Sequence, residues 1–206
     1  GVAAQLDVPG FNYKPRRFVE AYEKLPQNII LGSETASTVS SRGVYHLPSE
    51  KGVHGIDALL GAYMRHPDHQ SSSYDTDYCP WSNIPDTDFA ADEDYPWMPG
   101  QFVWTGFDYL GEPTPYDTDS WPNHSSVFGI IDLASIPKDR FWLYRSQWRK
   151  DSPTLHLVPH WTWPGHEGEN IPVVAYSSFD KAELFVNGVS QGIAVKAAPS
   201  GVSADP

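Results

Sequence analysis

The chain has 206 residues, 40% hydrophobic and 14% aromatic, which is enough for a sizeable core and too apolar for a disordered chain. Its net charge of -12, from 14 Lys+Arg against 26 Asp+Glu, repels a polyphosphate backbone and argues against nucleic acid as a partner. The single cysteine, Cys79, excludes an internal disulfide and a thiolate zinc site and fits a small packed residue, and no apolar run approaches the ~20 residues that cross a bilayer.

Near the start, "QLDVPGFNY" reads as a short strand. Pro15 then opens a helix in which Phe18, Val19, Tyr22 and Leu25 recur at helical spacing until Pro26 stops it. "NIILGSE" is the next strand. A long irregular stretch follows from Thr35 to about Trp81, with a short helix expected around "GIDALLGAYMRH". A loop of that length inside a globular domain is usually functional. "TDFAADEDYP" supplies a short acidic helix, and "GQFVWTGFDYLG" a third strand apolar enough to be buried on both faces, as parallel strands are. In "DLASIPKDRFWLYRSQWRK" a helix is expected with Ser135 as cap and Pro137 in the first turn. Phe141, Leu143, Tyr144 and Trp148 would face inward, with Arg145, Arg149 and Lys150 towards the C-terminal end.

From Thr154 the texture changes to "TLHLVPHW", "IPVVAYSSF" and "AELFVNGVSQG", short strands in which Asn187-Gly188 is a strong hairpin signal. A second, all-β domain is expected over 151–206, after an α/β part over 1–150. The strands after 151 are too few to close a sandwich, and the chain starts without Met in strand-like sequence, so both ends are expected to lie within larger domains.

Chemistry gathers at the strand ends. In a parallel α/β barrel the loops after the strands converge on one rim, which would bring together Asn12 and Tyr13, Glu34, and then Trp104 and Asp108. On the residues alone, Glu34 after Ile29–Leu31 is either a solvated turn former, the commoner case, or a group held at the rim of a buried sheet. A carboxylate with a Tyr hydroxyl nearby and indole walls is the constellation of a glycosidase. Other chemistries fit less well: Ser33 and Ser37 lack a G-x-S-x-G elbow, and "GSETAS" lacks the glycines and lysine of a phosphate loop. His66, Asp68 and His69 in "RHPDHQ" read as surface polar residues in a Pro-containing loop rather than as a metal site. Aromatics that grip a glycan without chemistry are the alternative from another class.

Taken together and in order, "FNYKPRRFVEAYEKLP", "ILGSETASTVSSRGVY", "FVWTGFDYLGEPTPY", "FGIIDLASIPKDRFWLYRSQW", "LHLVPHWTWPG" and "AELFVNGVSQG" resemble β-galactosidases of glycoside hydrolase family 2, of the Bacteroides type. The resemblance implies the C-terminal strands and helices of a (β/α)8 TIM barrel over 1–150, then the first strands of an immunoglobulin-like β-sandwich over 151–206. It implies a retaining β-glycosidase acting on a β-linked galactoside or oligosaccharide, with β-glucuronidase and β-mannosidase as alternatives on the same scaffold. Glu34 matches the nucleophile, Tyr13 the tyrosine that hydrogen-bonds it, and Trp104 the floor of the sugar pocket. Asn12 lies on the same rim. Asp108 either contacts a sugar hydroxyl or braces its loop, and Trp121 and His124 either shape the aglycone side or are structural. Two departures stand out. Ser37 occupies the spacing at which the enterobacterial branch has a sugar-contacting His, and the chain holds no Asn-Glu pair of the kind that carries the family's general acid/base. The chain taken alone is therefore expected to be inactive. No cofactor, metal or membrane association is implied, and the resemblance favours a periplasmic or secreted parent and allows a homo-oligomeric one.

Overall fold

Three short parallel strands, hydrogen-bonded in chain order, form the centre of the α/β part in the computed structural model, which describes residues 1–47, 66–79, 81–114, 121 and 123–196. They are β1 (Gly10–Asn12), β2 (Leu31–Thr35) and β3 (Gln101–Val103). Phe11 pairs with Gly32, Asn12 with Glu34, and Thr35 with Val103, and the register slips in both ladders. Gly32 has a steric reason: a Cβ there would come within 3.0–3.1 Å of the Thr35, Gln101 and Met98 side chains.

Pro15 begins a 3-10 turn, Pro15–Arg17, that runs into α1 (Phe18–Lys24), and Leu25 goes extended ahead of Pro26. Helix α2 (Pro85–Asp94) starts at its proline and contributes Ala90 and Ala91 to a core with Phe18, Ile30 and Met98, against which Phe11, Tyr22 and Leu25 pack. Val19, expected inward, is instead exposed. The helix expected around residues 55–66 lies, apart from His66, outside the described residues.

Two expected strands are shorter than their apolar patterns. Val2–Gln5 forms a 3-10 helix and Pro9 lacks a donor, so the strand itself is limited to Gly10–Asn12. The third strand stops at Val103. Its burial on both faces does not hold, since Gln101 lies towards Gly32 and the helices while Phe102 points to the opposite side and is 65% exposed. Beyond it, Phe107 and Leu110 form isolated bridges to Ile131 and Ser125.

Helix α3 (Asp139–Trp148) begins later than expected. Asp132 Oδ1 accepts hydrogen bonds from the Ala134 and Ile136 amides, both at 2.9 Å, so Ser135 (φ 63) sits in a tight turn and Pro137 in a bridge rather than in the helix. Leu143 and Tyr144 face the core as expected, whereas Trp148 at the last turn is exposed. Strands β4 (Leu155–Val158) and β5 (Val174–Ser177) pair antiparallel and place Val158 and Tyr176 on Leu143 and Tyr144. The hairpin of β6 (Lys181–Val186) and β7 (Val189–Val195) turns through Asn187 (φ 50) and Gly188 (φ 81), consecutive left-handed residues as a type I′ turn requires.

One buried charge system ties these parts together. Arg140 Nε donates to Asp75 Oδ1 at 2.8 Å, its guanidinium also bonds the Thr38 and Phe128 carbonyls, and the Tyr176 hydroxyl donates to Asp75 Oδ2 at 2.8 Å. Arg140 and Asp75 are both almost fully buried, so each depends on the other for charge compensation.

Candidate active site

Glu34 is the fourth residue of β2, behind Ile30, which is fully buried and anchors the strand. Tyr13 follows β1 directly in a left-handed conformation (φ 54), its amide donates to the Glu34 carbonyl at 2.9 Å, and its hydroxyl donates to Glu34 Oε1. Two residues beyond Glu34, Ala36 is also left-handed (φ 46) and fully buried, which turns the chain so that the Ser37 hydroxyl donates to the Tyr13 oxygen. Ser37 is fixed in turn by its own amide, which donates to Ser82 Oγ at 2.7 Å. Burial, followed by the hydrogen bond to Glu34, pushes the Tyr13 phenol well above the usual range, against a weaker opposite pull from Ser37 and Trp81. At neutral pH the phenol is therefore uncharged and the donation runs one way, from Ser37 to Tyr13 to Glu34.

The other strand-end residues divide. Asn12 pairs in register with Glu34, is exposed, and accepts a hydrogen bond from Ser33 Oγ at 2.9 Å. The Trp104 amide donates to the Thr35 carbonyl at 2.9 Å, which continues the ladder one residue past Glu34. The Trp104 ring lies against Val39, Cys79, Val127 and Phe128 and edge-on to Tyr109 at 6.0 Å. Asn12, Tyr13, Glu34 and Trp104 thus share one end of the parallel sheet.

Asp108 is differently placed. Its carboxylate lies 2.8 Å from Lys138 Nζ and accepts from the Gly129 amide at 2.7 Å, and Lys138 is itself buried on the Ser40 and Val127 carbonyls. Burial works against both charges, raising Asp108 and lowering Lys138 to about 8, and their mutual attraction offsets part of that. Gly129 is required here, because a Cβ would fall 2.1 Å from the Asp108 amide nitrogen. Trp121 and His124 stack on each other at 6.4 Å, and the Trp121 carbonyl lies 2.8 Å from His69 Nδ1. A cavity of about 1090 Å³ lies elsewhere, between α3 and β5–β7, against Leu143, Leu155, Tyr176 and Phe185, and touches none of these residues.

Sequence reasoning gave Ser37 only a spacing and did not include Ser82 or Lys138. The run of small hydroxyl residues after Glu34 was the available signal for the first.

Over 189 residues, 91% of this chain, the sequence is 40% identical to Beta-galactosidase BoGH2A of Bacteroides ovatus, and it covers 21% of that protein. The chain is similar to a segment of family 2 glycoside hydrolases. It spans about a fifth of the length of that curated relative. A putative β-glucuronidase of Formosa agariphila is 43% identical over 100 residues, 48% of this glycosidase-like chain and 10% of that protein. The crystal structure of a β-glycosidase from Bacteroides vulgatus superposes with a TM-score of 0.74 at 32% identity, over 96% of this chain and 27% of the other. Residues 168–202 match the model of a domain of unknown function, DUF4982.

Proposed function

We propose that this glycosidase segment carries the nucleophile half of a retaining β-glycosidase whose substrate is a terminal β-linked galactoside. The observation that carries the reading is the hydrogen-bond chain at one end of the sheet: Ser37 holds Tyr13, and Tyr13, kept neutral, holds Glu34 by one oxygen. A neutral donor orients the carboxylate without cancelling its charge, as attack on an anomeric carbon requires. Glu34 would form a glycosyl ester as the bond to the leaving oxygen breaks. A second carboxyl group, ~5–5.5 Å away, would protonate that oxygen and then activate the water that releases the sugar. The sequence offers no Asn-Glu pair for that second role, so it is assigned to a residue outside these 206, and the isolated chain is expected to be inactive. Trp104 is the proposed floor of the sugar site.

The domain reading proposed with it takes 1–150 as strands and helices of a (β/α)8 barrel and 151–206 as the opening of an immunoglobulin-like sandwich. A β-glucuronide is the second substrate reading, favoured by the Formosa relative. Trapping the parent enzyme with a 2-fluoro galactoside and mapping the adduct by mass spectrometry tests both the residue and the sugar. The label is expected on Glu34. A label on another acid rejects the nucleophile assignment, and labelling by the 2-fluoro glucuronide alone rejects the galactoside.

A further inference from the structure

We propose that His46, His66 and Asp77 form a binding site for one divalent transition-metal ion, with zinc the best match, which staples the two arms of the loop that follows β2. The three side chains come from different stretches, His46 from one described arm and His66 and Asp77 from the other. One ring nitrogen of each histidine and one carboxylate oxygen all lie within 4.8 Å of one another. His66 Nε2 is 3.0 Å from Asp77 Oδ2, close to the edge of a tetrahedron whose metal bonds are about 2.0–2.1 Å.

The surroundings are those of a metal centre rather than of a surface patch. Asp77 is 2% exposed and its Oδ2 also accepts the Ser72 amide at 2.7 Å, so the carboxylate is aimed by the backbone. His46 Nε2 lies 2.9 Å from Asp68 Oδ2, while its other nitrogen, Nδ1, is buried with no hydrogen-bond partner among the described residues. A histidine tied to a carboxylate by one nitrogen and presenting the other as a bare lone pair is the usual arrangement of a metal-ligating imidazole. The two rings lie 3.6 Å apart and 21° from parallel, so one ring turns about its side-chain bonds when both in-plane lone pairs close on one ion.

Donor type selects the ion. Imidazole nitrogens with a carboxylate suit zinc, cobalt or nickel, whereas magnesium and calcium prefer all-oxygen sets. The structural consequence follows from the backbone: the Asp77 carbonyl accepts from Val39 N at 3.0 Å, and the Ser37 carbonyl from Cys79 N at 3.1 Å. An ion at Asp77 would therefore fix the two-stranded neck of the loop from which Ser37 reaches Tyr13. The role is architectural and does not depend on the proposed glycosidase reaction.

The test uses the purified protein stripped with a chelator and titrated with zinc alone. One zinc per chain is expected after dialysis, with a higher melting temperature. His46→Gln and His66→Gln should each weaken binding by at least about tenfold, while His166→Gln, an exposed histidine paired with Glu169, should leave it unchanged. Because the variants can disturb the loop, the unaltered protein is also treated with diethyl pyrocarbonate, and zinc should protect His46 and His66 in peptide maps. Substoichiometric zinc, equal binding by the His46→Gln/His66→Gln double variant, or unprotected histidines would each overturn the site.

Discussion

Glu34 and Asp108 both lie just past the core of the same parallel sheet, and their surroundings treat them in opposite ways. Glu34 receives a neutral phenol on one oxygen. Asp108, with its side chain 7% exposed, is taken up by a buried ammonium and a backbone amide. Asp75 is the extreme case, compensated by Arg140 and Tyr176 with almost no exposure. Proximity to a strand end therefore does not make a carboxylate reactive. What matters is whether its lone pairs are already committed to fixed cations, which hold a fold together, or only to a neutral orienting group, which leaves the negative charge for chemistry.

Four substitutions probe that contrast. The largest effect is expected for Glu34→Gln in the enzyme that contains this chain: a fall in kcat of about four decades, because no glycosyl ester can form. A loss under tenfold would put Glu34 with Asp108 as a structural acid. On the compensated side, Arg140→Met should cost about 3–5 kcal/mol in denaturant unfolding, since it leaves Asp75 buried with the Tyr176 hydroxyl as its remaining donor. Tyr13→Phe should lower kcat by about 10–100-fold, the worth of one hydrogen bond to a charged group, with under about 1 kcal/mol lost in stability. An equal loss in both measurements would make the Tyr13 contact structural.

The effect that vanishes in acid concerns Asp88, whose carboxyl is pushed up to about 8, first by burial and further by the charge of Asp92, while the Asn83 amide pulls it back. The folded state holds this proton more tightly than the unfolded chain, where an aspartate titrates near ~3.9. Stability from this group is thus complete below about pH 4 and is lost as pH rises towards about 8. Asp88→Asn should match the native protein at pH 4 and become increasingly the more stable of the two as pH rises to 8.5. Parallel pH profiles for the two proteins would show that Asp88 ionises freely.

Local features of the fold were legible in the sequence. The Asn187-Gly188 hairpin, the chain turning helical from Pro15, the acidic helix after Thr87 and the strand carrying Glu34 all follow from short-range chemistry. The ends of β1 and β3 did not, because apolar pattern registers the affinity of a segment for a core and not whether a neighbour is there to provide one, as exposed Phe102 and Leu110 show. Contacts spanning many residues were equally hidden. His46 to Asp77, Asp75 to Arg140 and Asp75 to Tyr176 leave no mark in any window of sequence, and the "RHPDHQ" neighbours part company in space, His69 lying against the Trp121 carbonyl and His66 on the His46 ring.

The Tyr176 hydroxyl on β5, donating to Asp75 a hundred and one residues earlier, limits how the gene can be recombined. A hybrid joined near residue 150 would inherit Asp75 and Arg140 from one parent and whatever stands at position 176 from the other. Unless that newcomer offers a hydroxyl at the same depth, one oxygen of a sealed carboxylate goes without its donor. The two stretches on either side of that junction are thus expected to be inherited together, for a reason that lies in one buried oxygen and not in the linker.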